Sequence, residues 1–121
     1  MKVIRIYEYP NCGTCKDALR FLSTNRFAVD RINIFEKAPT LDELRKMLAF
    51  QGGNIKQLFN TTGKVYQEMN LAERLPSLGV DEALKLLAAN GKLIKRPFVL
   101  LEKTGLVGFK KDVWEKALEL K

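Results

Sequence analysis

The run Val3-Ile4-Arg5-Ile6-Tyr7-Glu8-Tyr9-Pro10-Asn11-Cys12-Gly13-Thr14-Cys15-Lys16-Asp17-Ala18-Leu19-Arg20-Phe21-Leu22 decides the fold. Val3 to Tyr7, apolar residues broken by charge, reads as a strand that Tyr9-Pro10 ends. From Cys12 to about Thr24 the period changes. Cys15, Ala18, Leu19 and Leu22 fall at i, i+3, i+4 and i+7, the spacing of one helix face. Ile32 and Ile34 then alternate with polar neighbours, so a second strand is expected over 29–34. The opening is therefore a βαβ unit with a Cys-x-x-Cys motif at its first strand-to-helix junction.

The far end carries a different pattern. Phe98-Val99-Leu100-Leu101 is a short apolar strand, Lys103-Thr104-Gly105 a turn, and Leu106-Val107-Gly108-Phe109 the returning hairpin partner. A final helix should place Val113, Trp114, Ala117 and Leu118 on one face. A βαβ unit followed by ββα makes an α/β, thioredoxin-like fold: one mixed sheet with helices on both faces. Between the halves, residues 36–96 read as a mostly helical insert. Thr40-Leu41-Asp42-Glu43 is a capping box, in which the threonine oxygen takes the N3 amide and the glutamate reaches back. That helix should turn Leu41, Leu44 and Leu48 inward and stop at Gly52-Gly53. A shorter piece over 55–59 precedes Asn60-Thr61-Thr62-Gly63, and a helix over 81–89 is closed by Asn90-Gly91.

A length of 121 residues with 46% hydrophobic residues suits one domain, expected to span 1–121, with enough apolar material for its own core. No apolar run reaches the ~18–20 residues of a membrane span. The opening Met1-Lys2-Val3-Ile4-Arg5-Ile6 reads as a strand rather than a signal peptide, so a cytoplasmic chain is expected. In a reducing compartment, two cysteines this close are a poor structural staple, since bridging them removes little unfolded-state entropy. Metal binding is not expected either. The chain has no histidine, and one Cys-x-x-Cys supplies two of the four ligands of a structural zinc, leaving only a zinc shared between two chains. The 21 basic residues against 14 acidic give a net charge of +7, which suits an acidic partner, an anionic substrate or solubility alone. The basic residues are dispersed and not interleaved with aromatics, so direct nucleic-acid binding is not expected. The chain is expected to be a monomer.

The position of Cys12-Gly13-Thr14-Cys15 gives it chemistry. Exchange needs a thiolate, and the first turn of a helix offers unpaired N–H groups and a positive dipole end that favour the anion. Cys12, where the helix begins, is the expected nucleophile. Cys15, one turn in on the apolar face, is the expected resolving thiol of a reducible disulfide. Gly13 and Thr14 set the turn, the Thr14 hydroxyl is placed to bond the thiolate, and Lys16 adds positive charge. The alternative is a pair of cysteines that merely lie at a helix start. A second feature is Lys95-Arg96-Pro97 just before the strand at Phe98. In thioredoxin folds a proline here is typically cis and faces the cysteines; otherwise it is a plain strand-entry proline. Arg96 would then lie near Cys12, where a guanidinium stabilises a thiolate or an oxyanion.

Tyr9-Pro10-Asn11-Cys12-Gly13-Thr14-Cys15-Lys16, Leu58-Phe59-Asn60-Thr61-Thr62-Gly63-Lys64, Leu93-Ile94-Lys95-Arg96-Pro97 and Val107-Gly108-Phe109 resemble, in this order, the arsenate reductase-like (ArsC/Spx) family. The resemblance covers essentially the whole chain and implies a thioredoxin fold with a helical insertion. The glutaredoxin-dependent arsenate reductases of that family use one cysteine, matching Cys12, and three arginines that hold the oxyanion. Arg96 matches one; the other two positions fall at Asn60 and near Gly108, which carry no charge. That branch lacks a cysteine at the position of Cys15. Arg96, with Lys95 or Lys64, would suit a smaller or differently bound anion. The Spx-like branch implies a Cys-x-x-Cys switch. It also implies that the inserted region binds the C-terminal domain of the RNA polymerase α subunit, with Gly52 or Gly53 matching a contact glycine. The resemblance thus implies a thiol–disulfide oxidoreductase, with a redox-switched regulator as the alternative. Asn11, Gly13, Thr14, Lys16, Asn60 and Pro97 would shape the site. No cofactor is expected to be bound; glutathione, a glutaredoxin or a thioredoxin would supply reducing equivalents.

Overall fold

A computed structural model describes residues 3–120. Met1 and Lys2, which the sequence reading joined to the first apolar run, lie outside the described residues, as does Lys121. The elements are β1 (Val3–Glu8), α1 (Gly13–Thr24), β2 (Ala28–Asn33), α2 (Leu41–Phe50), α3 (Lys64–Glu68), α4 (Leu71–Arg74), α5 (Val80–Ala89), β3 (Phe98–Leu100), β4 (Gly105–Val107) and α6 (Lys111–Ala117). The sheet order is β2-β1-β3-β4. β1 and β2 run parallel with Val3 opposite Ala28 and Glu8 opposite Asn33, while β3 and β4 are antiparallel. This is the α/β, thioredoxin-like arrangement that the two halves of the sequence lead one to expect.

Strand alternation divides the core in two. Ile4 and Ile6 face Ala18, Phe21 and Leu22 of α1 and Trp114 of α6. Tyr7 and Phe98 face Leu44 and Met47 of α2 and Leu84 and Leu87 of α5. The capping box at Thr40 is formed, and it is tied to the sheet. Glu43 Oε1 accepts both the Thr40 amide and the Tyr7 hydroxyl, each at 2.9 Å. Burial and that carboxylate push the Tyr7 phenol up to about 12.

Several faces and ends differ from the sequence reading. Phe21 joins the α1 core where Leu19 is only partly buried, and Met47 of α2 is buried where Leu41 and Leu48 are partly so. Helices pack against a twisted sheet over a stripe whose centre neighbouring elements fix, so periodicity alone leaves its rotation open by a residue. Val113, expected on the buried face of α6, is 47% exposed, while Trp114 is buried and Ala117 and Leu118 pack partly buried against the same cluster. The Trp114 indole N–H donates to the Gly108 carbonyl at 3.1 Å. β4 ends at Val107 instead of continuing to Phe109, because Gly108 turns out of the strand at φ +72°. β2 starts at Ala28 and stops before Ile34, whose amide still donates to the Glu8 carbonyl at 3.0 Å. Residues Ile55–Leu58 and Gly91–Leu93 form 3₁₀ turns. The latter packs so closely that Gly91 lies directly against the Ile34 carbonyl, where no side chain fits.

Candidate active site

The site is built at one end of the sheet, where β1 gives way to α1 and β3 begins. Pro10 and Asn11 carry the chain round a turn closed by the Cys12 amide donating to the Tyr9 carbonyl at 3.0 Å. Cys12 is the N-cap residue of α1 and partly exposed; Cys15 is fully buried one turn further. Cys12 forms no side-chain capping bond, which leaves the first-turn amides available to its thiolate. Both cysteines are free thiols, so the structure shows the reduced form and no disulfide bond.

Their environments push the two thiols apart. Burial alone would raise Cys12, but the Cys15 amide, the Cys15 thiol and the Arg96 guanidinium outweigh it and hold Cys12 below the ordinary thiol value. Cys15 is driven the other way, up to about 12, by burial and by the negative charges of Cys12 and Glu8. The Tyr9 amide, which donates to Cys15 Sγ at 3.5 Å, only partly offsets this. One cysteine is thus set to be a thiolate and the other to keep its proton.

Arg96 is the cation of the site. It precedes Pro97 through a cis peptide bond and lies against an aromatic pair. Tyr9 and Phe35 stack with ring centroids 4.1 Å apart, and the guanidinium carbon sits 5.7 Å from the first ring and 5.1 Å from the second. Such contacts hold a guanidinium without using its N–H groups. Nε and Nη1 of Arg96 are buried with no hydrogen-bond partner, donors left over for an anionic group.

A cleft of about 650 Å³ opens beside Cys12, with Thr14, Asn60, Lys95 and Arg96 among the residues on its wall. Of the residues expected to shape the site, the structure therefore brings together Cys12, Thr14, Asn60 and Arg96. Pro97 is buried behind them, its carbonyl accepting the Gly108 amide at 2.9 Å. Gly13 and Lys16 are exposed on α1. Asn11 is exposed and donates to the Tyr9 hydroxyl at 3.5 Å. Lys95 lines the cleft, whereas Lys64, at the start of α3, does not. Sequence reasoning missed Tyr9, Phe35 and Glu8 as parts of the site. Glu8 had a signal, being a carboxylate at an inward position of a strand in phase with Ile4 and Ile6; Phe35, in a loop, had none.

A dithiol at a strand-to-helix junction of this mixed sheet defines the class: a thioredoxin-like protein with a paired-cysteine site. The chain belongs to the ArsC family, which it matches over residues 7–117. It is 40% identical to the uncharacterized protein YusI of Bacillus subtilis over 93% of this chain and 96% of that protein. A crystal structure of an ArsC family related protein from Bacteroides fragilis superposes with a TM-score of 0.88 at 41% identity, covering 93% of this chain and 95% of that one. The global transcriptional regulator Spx 1 of Bacillus cereus is 27% identical over 91% of this chain and 82% of the regulator.

Proposed function

We propose that this chain is a thiol–disulfide oxidoreductase acting in the cytoplasm. The Cys12 thiolate attacks a substrate disulfide, forms a mixed disulfide and releases the first thiolate. Cys15 then attacks Cys12 Sγ, releases the second substrate sulfur and leaves a Cys12–Cys15 disulfide. Two glutathione thiols, or the dithiol of a glutaredoxin or thioredoxin, return the pair to the reduced form. The observation that carries this reading is the asymmetry of the pair: a partly exposed Cys12 that Arg96 and the helix start favour as an anion, one turn from a buried Cys15 that holds its proton. The leftover donors of Arg96, with Lys95 on the same wall, suit a substrate that carries negative charge beside its sulfur.

The test is multiple-turnover reduction of glutathione-mixed disulfides and of oxidised low-molecular-weight thiols, with Cys12→Ser and Cys15→Ser beside the wild type. Cys12→Ser should abolish turnover, and Cys15→Ser should trap the substrate on Cys12. Turnover that survives Cys12→Ser would defeat this reading. The second reading, a redox-switched regulator, is favoured by the likeness to Spx 1 and by Gly52-Gly53. Both glycines are exposed just past α2, at φ +70° and +79°, with open space around them. It requires binding to the RNA polymerase α C-terminal domain that changes when Cys12 and Cys15 are oxidised, a difference that titration of the two redox forms would measure.

A further inference from the structure

Glu8 is the one charged side chain fully withdrawn into the core among the described residues, at 3% exposed. A buried carboxylate is costly unless it is paired or put to use. Its Oε2 is held by Arg31 Nε at 3.6 Å, from the neighbouring strand, and its Oε1 is buried with no hydrogen-bond partner. Glu8 is in phase with Ile4 and Ile6, so it lies on the α1 side of the sheet, the side on which Cys15 is buried. Cys15 Sγ sits 3.5 Å from the amide nitrogen of Tyr9, the residue bonded to Glu8, so thiol and carboxylate share one wall of the β1–α1 interface. The charged and titratable groups that face Glu8 are Arg31 from β2 and Cys15 from α1; β3, on its other flank, offers only Phe98, Val99 and Leu100.

We infer that Glu8 is the proton acceptor of the resolving step. This rests on the two-cysteine reading above and adds what that reading leaves without an agent, the removal of the Cys15 proton in a dry interface. Starting from Cys12 disulfide-bonded to a substrate sulfur, Cys15 sulfur donates an electron pair to Cys12 Sγ. The bond from Cys12 to the substrate sulfur breaks, and its pair leaves on the substrate as a thiolate. The Cys15 proton passes to Glu8 Oε1. Cys12 and Cys15 end as a disulfide, the substrate sulfur is reduced, and Glu8 is neutral. When an external thiol later reopens the disulfide, the same carboxylic acid returns the proton to Cys15. Arg31 keeps one oxygen tethered at the edge of the core and leaves the other free.

A chromophoric nitrobenzoate disulfide separates the steps. Its first aromatic thiolate is released when Cys12 attacks, and its second when Cys15 resolves the adduct. In Glu8→Gln, which keeps the size of the side chain, the first release should stay within about twofold of wild type. The second should slow by about a hundredfold near pH 7, the lower end of what a positioned base contributes. Loss of the negative charge alone would ease Cys15 ionisation and speed the second release, so an unchanged or faster second phase overturns the proposal. The unmodified protein gives an independent reading. With Glu8 as acceptor, its second release should not track hydroxide concentration, while a tenfold rise per pH unit, the mark of deprotonation by solvent, overturns the role of Glu8. A wild type with no second release, or one that Cys15→Ser leaves intact, overturns the two-cysteine reading itself, and the two failures are thereby told apart.

Discussion

Replacing Arg96 with Met removes the guanidinium while leaving a flexible stem against the Tyr9 and Phe35 rings. The Cys15 amide and thiol, which also favour the Cys12 thiolate, stay in place, so the variant isolates what the guanidinium contributes. An opposite charge within ~4–6 Å lowers an acid by roughly 1–3 pKa units, and the partial exposure of Cys12 puts the effect at the lower end. The sign follows from the anion: without the guanidinium the thiolate costs more, and the Cys12 titration moves up by about one unit. Below both inflections the thiolate fraction falls about tenfold. The more basic thiolate is intrinsically more nucleophilic and recovers about threefold of that, so alkylation by iodoacetamide should slow by about three- to fourfold. Thiolate ultraviolet absorbance against pH gives the shift directly, and the alkylation rate gives the consequence. An inflection that moves by less than about 0.3 unit would show that Arg96 does not set the Cys12 thiolate, and the electrostatic account of the site would fail.

Two further outcomes concern the frame that holds the site. Gly91→Ala drives a methyl group into the backbone carbonyl of Ile34 and should lower unfolding stability by about 3 kcal/mol in a urea titration. A loss below about 0.5 kcal/mol would mean the 3₁₀ turn before β3 is loosely held. Trp114→Phe removes the indole N–H from the buried Gly108 carbonyl and shrinks the ring that contacts Phe21 and Phe109. It should cost about 2 kcal/mol or more, read in the same titration, and loosen the cleft wall that Gly108 forms.

The local rules of the chain wrote a good deal of this protein into its sequence. The change from strand to helix period at Cys12, the capping box at Thr40 and the glycines past α2 are short-range features, each decided by residues within a few positions of one another. They suffice for the βαβ and ββα halves, for the Cys-x-x-Cys junction and for the place of Arg96 before β3. What they cannot specify is which side chains meet across the interior. Arg96 lies against Tyr9 and Phe35 because β1 and β3 are neighbours in the sheet and the loop after β2 folds over their ends. Glu8 and Cys15, on different elements, become one electrostatic pair only when α1 packs on β1. Phe21 and Met47 displace the expected Leu19 and Leu48 from full burial for the same reason: a helix stripe is turned by the surface it lands on. Sequence determined that two thiols stand at a helix start, because capping and periodicity act over one turn. Tertiary structure decided which of them ionises, because charge and burial act through space between residues far apart in the chain.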